Sequence, residues 1–377
     1  MECDYLIVGA GIFGTVVAER IANDLGASVV VIDKRPHIAG NCYSEKDTQT
    51  DIEVHRYGTH VFHTSIRKTW EYISRFTELN GYRHQVLATH NNRVYQMPIN
   101  LETINSFYNL NLNPAQAEKF ISEEIRKENI NLPANLEEKA ISLIGKPLYE
   151  TFIKSYTIKQ WGKDPRELPS SIITRLPLRF DYREDYFNDT RWQGIPVDGY
   201  TKMFERMLDA PNIKVLLNCD YFMAREEFRV NKKVIYTGPI DQYFSYCHGK
   251  LEWRSIELKR ALIEVKDYQG TSVMNYVDNK IPYTRIHEPR HLHPERQYNK
   301  EKTVIFYEYP GDNPEEPYYS VNTDKNNLLA QKYHALLEQK DIIIGGHLGD
   351  YAYYNMDKTI MSALECYENK ILKSKTF

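Results

Sequence analysis

Asp4-Tyr-Leu-Ile-Val-Gly9-Ala-Gly11-Ile-Phe-Gly14, with Ser28-Val-Val-Val-Ile-Asp33 a short helix-length later, decides how this chain begins. Residues 4–8 end in an unbroken apolar run and read as a buried strand, 15–25 has helical periodicity, and 28–32 is a second apolar strand ending on Asp33. Strand, glycine turn, helix, strand and acid make a βαβ unit, the start of a parallel nucleotide-binding sheet. In Gly9-x-Gly11-x-x-Gly14 the first glycine permits the tight turn. The second lets backbone approach a pyrophosphate, and the third lets the helix pack on the strand. Free N–H groups and the dipole at the helix start then favour the phosphates. Asp33, 19 positions after Gly14, is placed to accept from ribose hydroxyls. Three glycines alone could make a purely structural turn; the elements around them argue for a dinucleotide.

NAD and FAD share this fingerprint, and the residues beyond the acid favour FAD. Lys34-Arg35 and the small-residue turn Ala39-Gly40-Asn41 extend the site past Asp33. FAD-binding families that begin this way usually have Gly-Gly where this chain has Ala39-Gly40, so the backbone at 39 is expected to tolerate a methyl group. Val234-Ile-Tyr-Thr-Gly238 and Ile342-Ile-Ile-Gly-Gly346 resemble the later segments with which such families complete the site.

The rest of the chain sets limits. Its 377 residues, 42% hydrophobic, suffice for two or three structural units, and a net charge of −3 favours neither nucleic acid nor an anionic membrane as partner. The five cysteines are scattered without CxxC spacing, so they read as reduced thiols. With no signal-like start and no membrane-length apolar run, a cytoplasmic protein without membrane insertion is expected. The 29 tyrosines suit a wide, wet cleft, although ordinary half-buried packing accounts for most of them. Residues 113–128 and 136–158 have helical periodicity; 165–318 breaks into short runs typical of an antiparallel sheet, with 213–217 and 233–237 reading as returning strands of the nucleotide domain. A strand at 342–346 and a helix at 358–372 close the chain. The expected class is α/β: a Rossmann-type FAD-binding domain (1–80, 199–246, 319–377), an inserted helical lobe (98–158) and an antiparallel β-sheet lobe (82–97, 159–198, 247–318).

Six further stretches run in order along the chain: Tyr57-Gly-Thr-His-Val-Phe-His-Thr64, Tyr156-Thr-Ile-Lys-Gln-Trp-Gly162, Arg191-Trp-Gln-Gly-Ile-Pro196, Tyr236-Thr-Gly-Pro-Ile-Asp-Gln-Tyr-Phe244, Pro282-Tyr-Thr-Arg285 and Glu316-Pro-Tyr-Tyr319. Together with the FAD-type start they resemble the UDP-galactopyranose mutases over nearly the whole chain. The resemblance implies an isomerase that is active when its FAD is reduced. Flavin N5 would attack the anomeric carbon of a nucleotide-diphosphate sugar, expel the diphosphate, and let the sugar ring open and reclose without net redox. UDP-galactopyranose is the implied substrate, and a homodimer is an open possibility. UDP-N-acetylgalactosamine or a dTDP-6-deoxyhexose such as dTDP-fucose are alternatives. An FAD oxidoreductase of the amine-oxidase or desaturase type, or a silent nucleotide-sugar binder, are rivals from other classes.

A departing diphosphate needs cations, and Arg175 and Arg285 are the catalytic candidates because guanidinium forks match phosphate oxygens and keep their charge. Phe152 and Tyr156, four apart on a predicted helix, share one face; helix-core packing is the plainer reading of that spacing. By resemblance they form the uridine pocket with Asn275, and Trp161 lies beside substrate. Tyr186, Tyr319 and Tyr353 resemble tyrosines that donate to the diphosphate, accompanied by Phe187. By resemblance the segment holding His60 and His63 approaches the flavin and sugar, His60 counted with the cofactor and His63 as catalytic; satisfied structural histidines are the plainer alternative. Lys34, Gly40, Asn41, Gly346 and Met356 join Gly9, Gly11, Gly14 and Asp33 at the cofactor. His55, His60 and His63 lack carboxylate or cysteine partners at metal-site spacing, so no metal is expected. Two positions depart from the family pattern: His347 replaces the usual arginine of Gly-Gly-Arg, and Asn355 the usual aspartate of Tyr-Asp-Met.

Overall fold

In the computed structural model, which describes residues 1–173, 178–187, 190–337 and 340–373, the strand Glu2–Val8 passes through the glycine turn into the helix Ile12–Leu25 and returns as the strand Val29–Ile32. Gly9 sits at φ +107°, and a Cβ on Gly14 would lie 2.0 Å from the Gly9 carbonyl oxygen, so helix and strand pack closer there than any side chain allows. Five strands form an all-parallel sheet in the order Ile342–Ile344, Arg229–Tyr236, Glu2–Val8, Val29–Ile32, Ile213–Leu216. Its central part, residues 6–8 and Val29–Ile32, is apolar on both faces because both faces are covered, whereas Arg229–Tyr236 opens with exposed polar residues. Ile7 and Val31 join Val16, Ile21 and Phe204 on one side, and Leu6 and Val30 join Tyr333 on the other.

The second sheet has seven strands in the order Tyr319–Ser320, Trp253–Ile263, Thr303–Gly311, Arg285–His287, Val273–Tyr276, Val86–His90, Arg93–Met97. Its neighbours are antiparallel except Val273–Tyr276 against Val86–His90, which run parallel. The expected antiparallel lobe is therefore a mixed sheet. No tight hairpin joins those two strands, so nothing local forces them antiparallel. Among the described residues, 159–198 contributes no strand to this sheet; Trp192–Gly194 pairs with Phe62–Thr64 instead. Tyr319–Ser320, expected in the nucleotide domain, is the edge strand of the second sheet.

The helical region forms Pro114–Arg126, opened by a capping box between Asn113 and Gln116. The expected continuous run 136–158 is interrupted. Leu136–Ile144 stops at Gly145 (φ +80°), and Tyr149–Lys154 winds as a π-helix before Ser155–Trp161. The apolar pattern runs through these breaks because Ala140, Ile144, Leu148 and Phe152 all face one core, shared with Tyr95 of the sheet. No described helix is long and apolar enough to cross a membrane, and the five cysteines are free.

Candidate active site

One cavity of about 1220 Å³ runs from the glycine turn to the helical lobe. A single small ligand typically occupies roughly 300–1,000 Å³, so the cavity has room for a dinucleotide and a second molecule. At one end the Gly40 turn (φ +54°) closes on the first turn, where a Cβ on Gly40 would lie 3.0 Å from Gly11 Cα. Ala39 beside it is buried at φ +72°. Position 39 thus accepts a methyl, in a left-handed conformation that costs an alanine roughly 1–2 kcal/mol. The Asp33 carboxylate accepts from the Ala10 N–H at 2.8 Å and the Arg35 N–H at 2.9 Å, tying the two turns together. Each carboxylate oxygen keeps a further lone-pair direction for a ribose hydroxyl. No side chain caps the helix Ile12–Leu25, which leaves its first N–H groups to an anion. Arg35 donates to Asn41 Oδ1 at 2.9 Å and stacks over the Tyr57 ring at 4.3 Å.

Across the second sheet, register places Asn275 opposite Arg285 and Arg285 opposite Glu308, so the three side chains form one transverse row on one face. Glu308 is 1% exposed and lies 3.3 Å from Arg285, which is 27% exposed. It also accepts from Thr284 Oγ1 at 3.0 Å and lies 2.9 Å from His287 Nε2. Burial pushes the Glu308 carboxyl up, but Arg285 and His287 outweigh it and hold it down at about 2. Burial likewise opposes the charge of Arg285, and Glu308 outweighs it, so both partners are ionised. His287 Nδ1 meets Thr59 Oγ1 at 2.8 Å, linking this row to the loop that carries His60.

An aromatic wall faces the row. Phe152 packs edge-on against Tyr95 at 5.1 Å and borders the cavity, so it serves core and site together. The Arg285 guanidinium lies 5.7 Å from the Tyr156 ring centroid, and Trp161 is 6.5 Å from Tyr319. Tyr319 in turn stacks on Tyr353 at 6.0 Å. Three buried polar atoms bordering this space, the Tyr156 hydroxyl, Asn275 Oδ1 and Gln160 Oε1, have no hydrogen-bond partner among the described residues. Unsatisfied buried groups are costly, and a polar ligand in the cavity could satisfy them.

His63 stacks on Phe187 at 3.6 Å, and His84 lies against the same ring at 5.6 Å. His63 Nδ1 reaches the Val61 carbonyl at 3.2 Å, and Nε2 meets Asn355 Nδ2 at 3.3 Å. Burial lowers the pKa of His60 and His63, and takes His84 down to about 3. A neutral His63 donates from Nδ1 and accepts the Asn355 amide at Nε2; an aspartate at 355 could not donate there. Both His63 nitrogens are thus engaged, and its ring borders the cavity. His347 is also buried with a lowered pKa; Nε2 contacts the Tyr318 carbonyl and Nδ1 accepts from the Tyr354 N–H at 3.4 Å. It fills the arginine's place without a charge.

All the expected site residues line this cavity except two. Gly14 lies beneath the turn as a packing position, and Arg175 falls outside the described residues. Sequence reasoning missed Glu308, His287, His84 and Gln160. Arg285-x-His287 is a same-face strand pair that could have signalled the row; His84 and Gln160 carry no local pattern.

The family model for UDP-galactopyranose mutase matches residues 151–353, and one for an NAD(P)-binding Rossmann-like domain matches 7–76. The "Probable UDP-galactopyranose mutase" of Klebsiella pneumoniae is 42% identical over 364 residues, covering 96% of this chain and 92% of that protein. The dTDP-fucopyranose mutase of Escherichia coli is 36% identical over 377 residues, covering 98% and 99%. A crystal structure of reduced UDP-galactopyranose mutase superposes with a TM-score of 0.78 at 14% identity, covering 100% of this chain and 95% of that one.

Proposed function

The chain belongs to the UDP-galactopyranose mutase family of isomerases, and from that premise we propose that it uses FAD to interconvert pyranose and furanose forms of a nucleotide sugar, UDP-galactose first. The observation that carries this is the continuity of one cavity from the glycine turns to the Asn275–Arg285–Glu308 row. Gly11, Gly40, Asp33 and Asn41 fit the dinucleotide part of FAD. A methyl at Gly11 would enter the cavity, where open space now meets the helix N-terminus. Reduced flavin would supply the electron pair that displaces the diphosphate from the anomeric carbon and recovers it on product release, which requires no external oxidant.

The protein's own groups bind, neutralise and exclude water. Arg285, held by Glu308, meets the charge that develops on the departing diphosphate, and Arg175, which falls outside the described residues, would share that work. Tyr186, Tyr319 and Tyr353 can donate hydroxyls to the same oxygens. Phe152, Tyr156, Asn275 and Trp161 hold the base, while His63 and Phe187 present a flat wall to the sugar.

A dTDP-6-deoxyhexose is the second reading. It is favoured by the E. coli relative and by His347, which brings no permanent charge to the cavity wall. The test is product chromatography after incubating dithionite-reduced protein with UDP-galactopyranose, UDP-N-acetylgalactosamine and dTDP-fucopyranose. Conversion of UDP-galactopyranose to its furanose is expected. Conversion of dTDP-fucopyranose alone transfers the assignment to the second reading, and conversion of none refutes both.

A further inference from the structure

The helix Ser155–Trp161 is fastened to the second sheet by two cations. Arg254 Nε donates to the Gln160 carbonyl at 3.0 Å. Lys159 Nζ lies 2.6 Å from the carbonyl oxygen of Tyr276, 3.2 Å from that of Asp278 and 3.1 Å from those of Ile281 and Tyr283. Tyr276 ends strand Val273–Tyr276 and the other three carbonyls lie in the connection to strand Arg285–His287, whose ladder sets Asn275 directly opposite Arg285. On the helix, Lys159 follows Tyr156 by one turn and precedes Trp161 by two residues. The lysine therefore joins the segment that carries the aromatic wall to the turn that carries the polar row.

We propose that Lys159 is a positioning residue: its ammonium, enclosed by four carbonyls of the 276–283 turn, fixes the gap between the Asn275–Arg285 pair and the Tyr156–Trp161 wall in which a nucleoside diphosphate is gripped. This rests on the nucleotide-sugar reading above. Carbonyl dipoles converging on one point repel each other, and a cation at that point turns the repulsion into attraction. Three rotatable N–H donors can serve a ring of carbonyls, whereas the planar fork of an arginine cannot. Burial lowers the Lys159 ammonium to about 8, which leaves it charged at neutral pH.

The experiment uses flavin-loaded protein and UDP as probe, with Lys159→Met, Lys159→Cys, and Lys159→Cys aminoethylated by 2-bromoethylamine; the parent receives the same alkylation as control. Both variants are expected to retain the parent's flavin content. Per folded molecule they should bind UDP about tenfold or more weakly and lose kcat/KM by about a hundredfold. Aminoethylation, which rebuilds a lysine-like side chain, should restore UDP affinity. Parental affinity in both variants, or weak binding that aminoethylation leaves unchanged, overturns the proposal while leaving the nucleotide-sugar reading intact. A parent that binds neither UDP nor dTDP defeats both. If neither variant folds, acetylation of the intact protein decides. Lys159 should react far more slowly than Lys119, whose side chain is 80% exposed, and equal rates refute the enclosure.

Discussion

At the scale of single residues, two side chains separate binding from stability. The Tyr156 hydroxyl is buried without an acceptor among the described residues, which costs the ligand-free protein about 1–3 kcal/mol. Tyr156→Phe should therefore raise the ligand-free melting temperature while weakening UDP binding roughly tenfold, the worth of one good hydrogen bond. Calorimetry on both states checks this, and a lower melting temperature would refute the ligand-facing hydroxyl. Arg285→Ala behaves differently because it removes the permanent cation beside Glu308, which is 1% exposed, and leaves that carboxylate only Thr284 and His287, a loss of about 3 kcal/mol. Adding Glu308→Gln should recover most of the stability. The double variant should nevertheless remain slower by on the order of a hundredfold, because the cation facing the leaving group is gone. Recovery of turnover together with stability would show that Arg285 is structural.

At the scale of elements, the opening βαβ unit was legible because its signal is local: apolar strand, glycine turn and acid lie within one stretch of chain. The glycines make this testable. A Cβ on Gly11 meets no atom nearer than Gly40 Cα at 3.9 Å, so Gly11→Ala should fold normally yet carry less flavin, read as the ratio of flavin to protein absorbance. Gly14→Ala places its methyl 2.0 Å from the Gly9 carbonyl and should lose stability outright. If Gly11→Ala keeps full flavin content, Gly11 is not part of the cradle. The breaks at Gly145 and in the π-helix Tyr149–Lys154 escaped notice because the apolar periodicity runs across both. The parallel pairing of Val273–Tyr276 with Val86–His90 joins distant parts of the chain, and no turn residue announces it. Glu308 escaped for a similar reason: inside Thr303–Gly311 it reads as one polar position of a strand, and its meaning comes from Arg285 and His287 across the ladder.

At the scale of the whole molecule, the cavity walls gather histidines kept neutral by burial, which couples the site to acid stability. The folded pKa of His84, about 3, lies below its ordinary 6.5, so the unfolded chain binds more protons between those values. Its contribution is complete above pH 6.5 and declines as pH falls, by about 2 kcal/mol at pH 5. His60, His63 and His347 shift in the same direction. Glu308, held near 2 against an ordinary 4.5, contributes fully above 4.5 and loses its share below that. Urea midpoints at pH 7.5 and 5.0 should therefore differ clearly, and His84→Gln should narrow the gap; a flat profile contradicts neutral burial.

The proposed reaction isomerises a nucleotide sugar in this cavity without consuming electrons. The measurement that tests it most directly is the number of furanose molecules formed per flavin, under strict anaerobiosis, after the protein has been reduced once and excess reductant removed. Many turnovers per flavin, with the flavin still reduced at the end and no oxidised sugar formed, is the predicted result. One turnover or fewer per reduced flavin, or appearance of an oxidised or reduced sugar, would contradict the account.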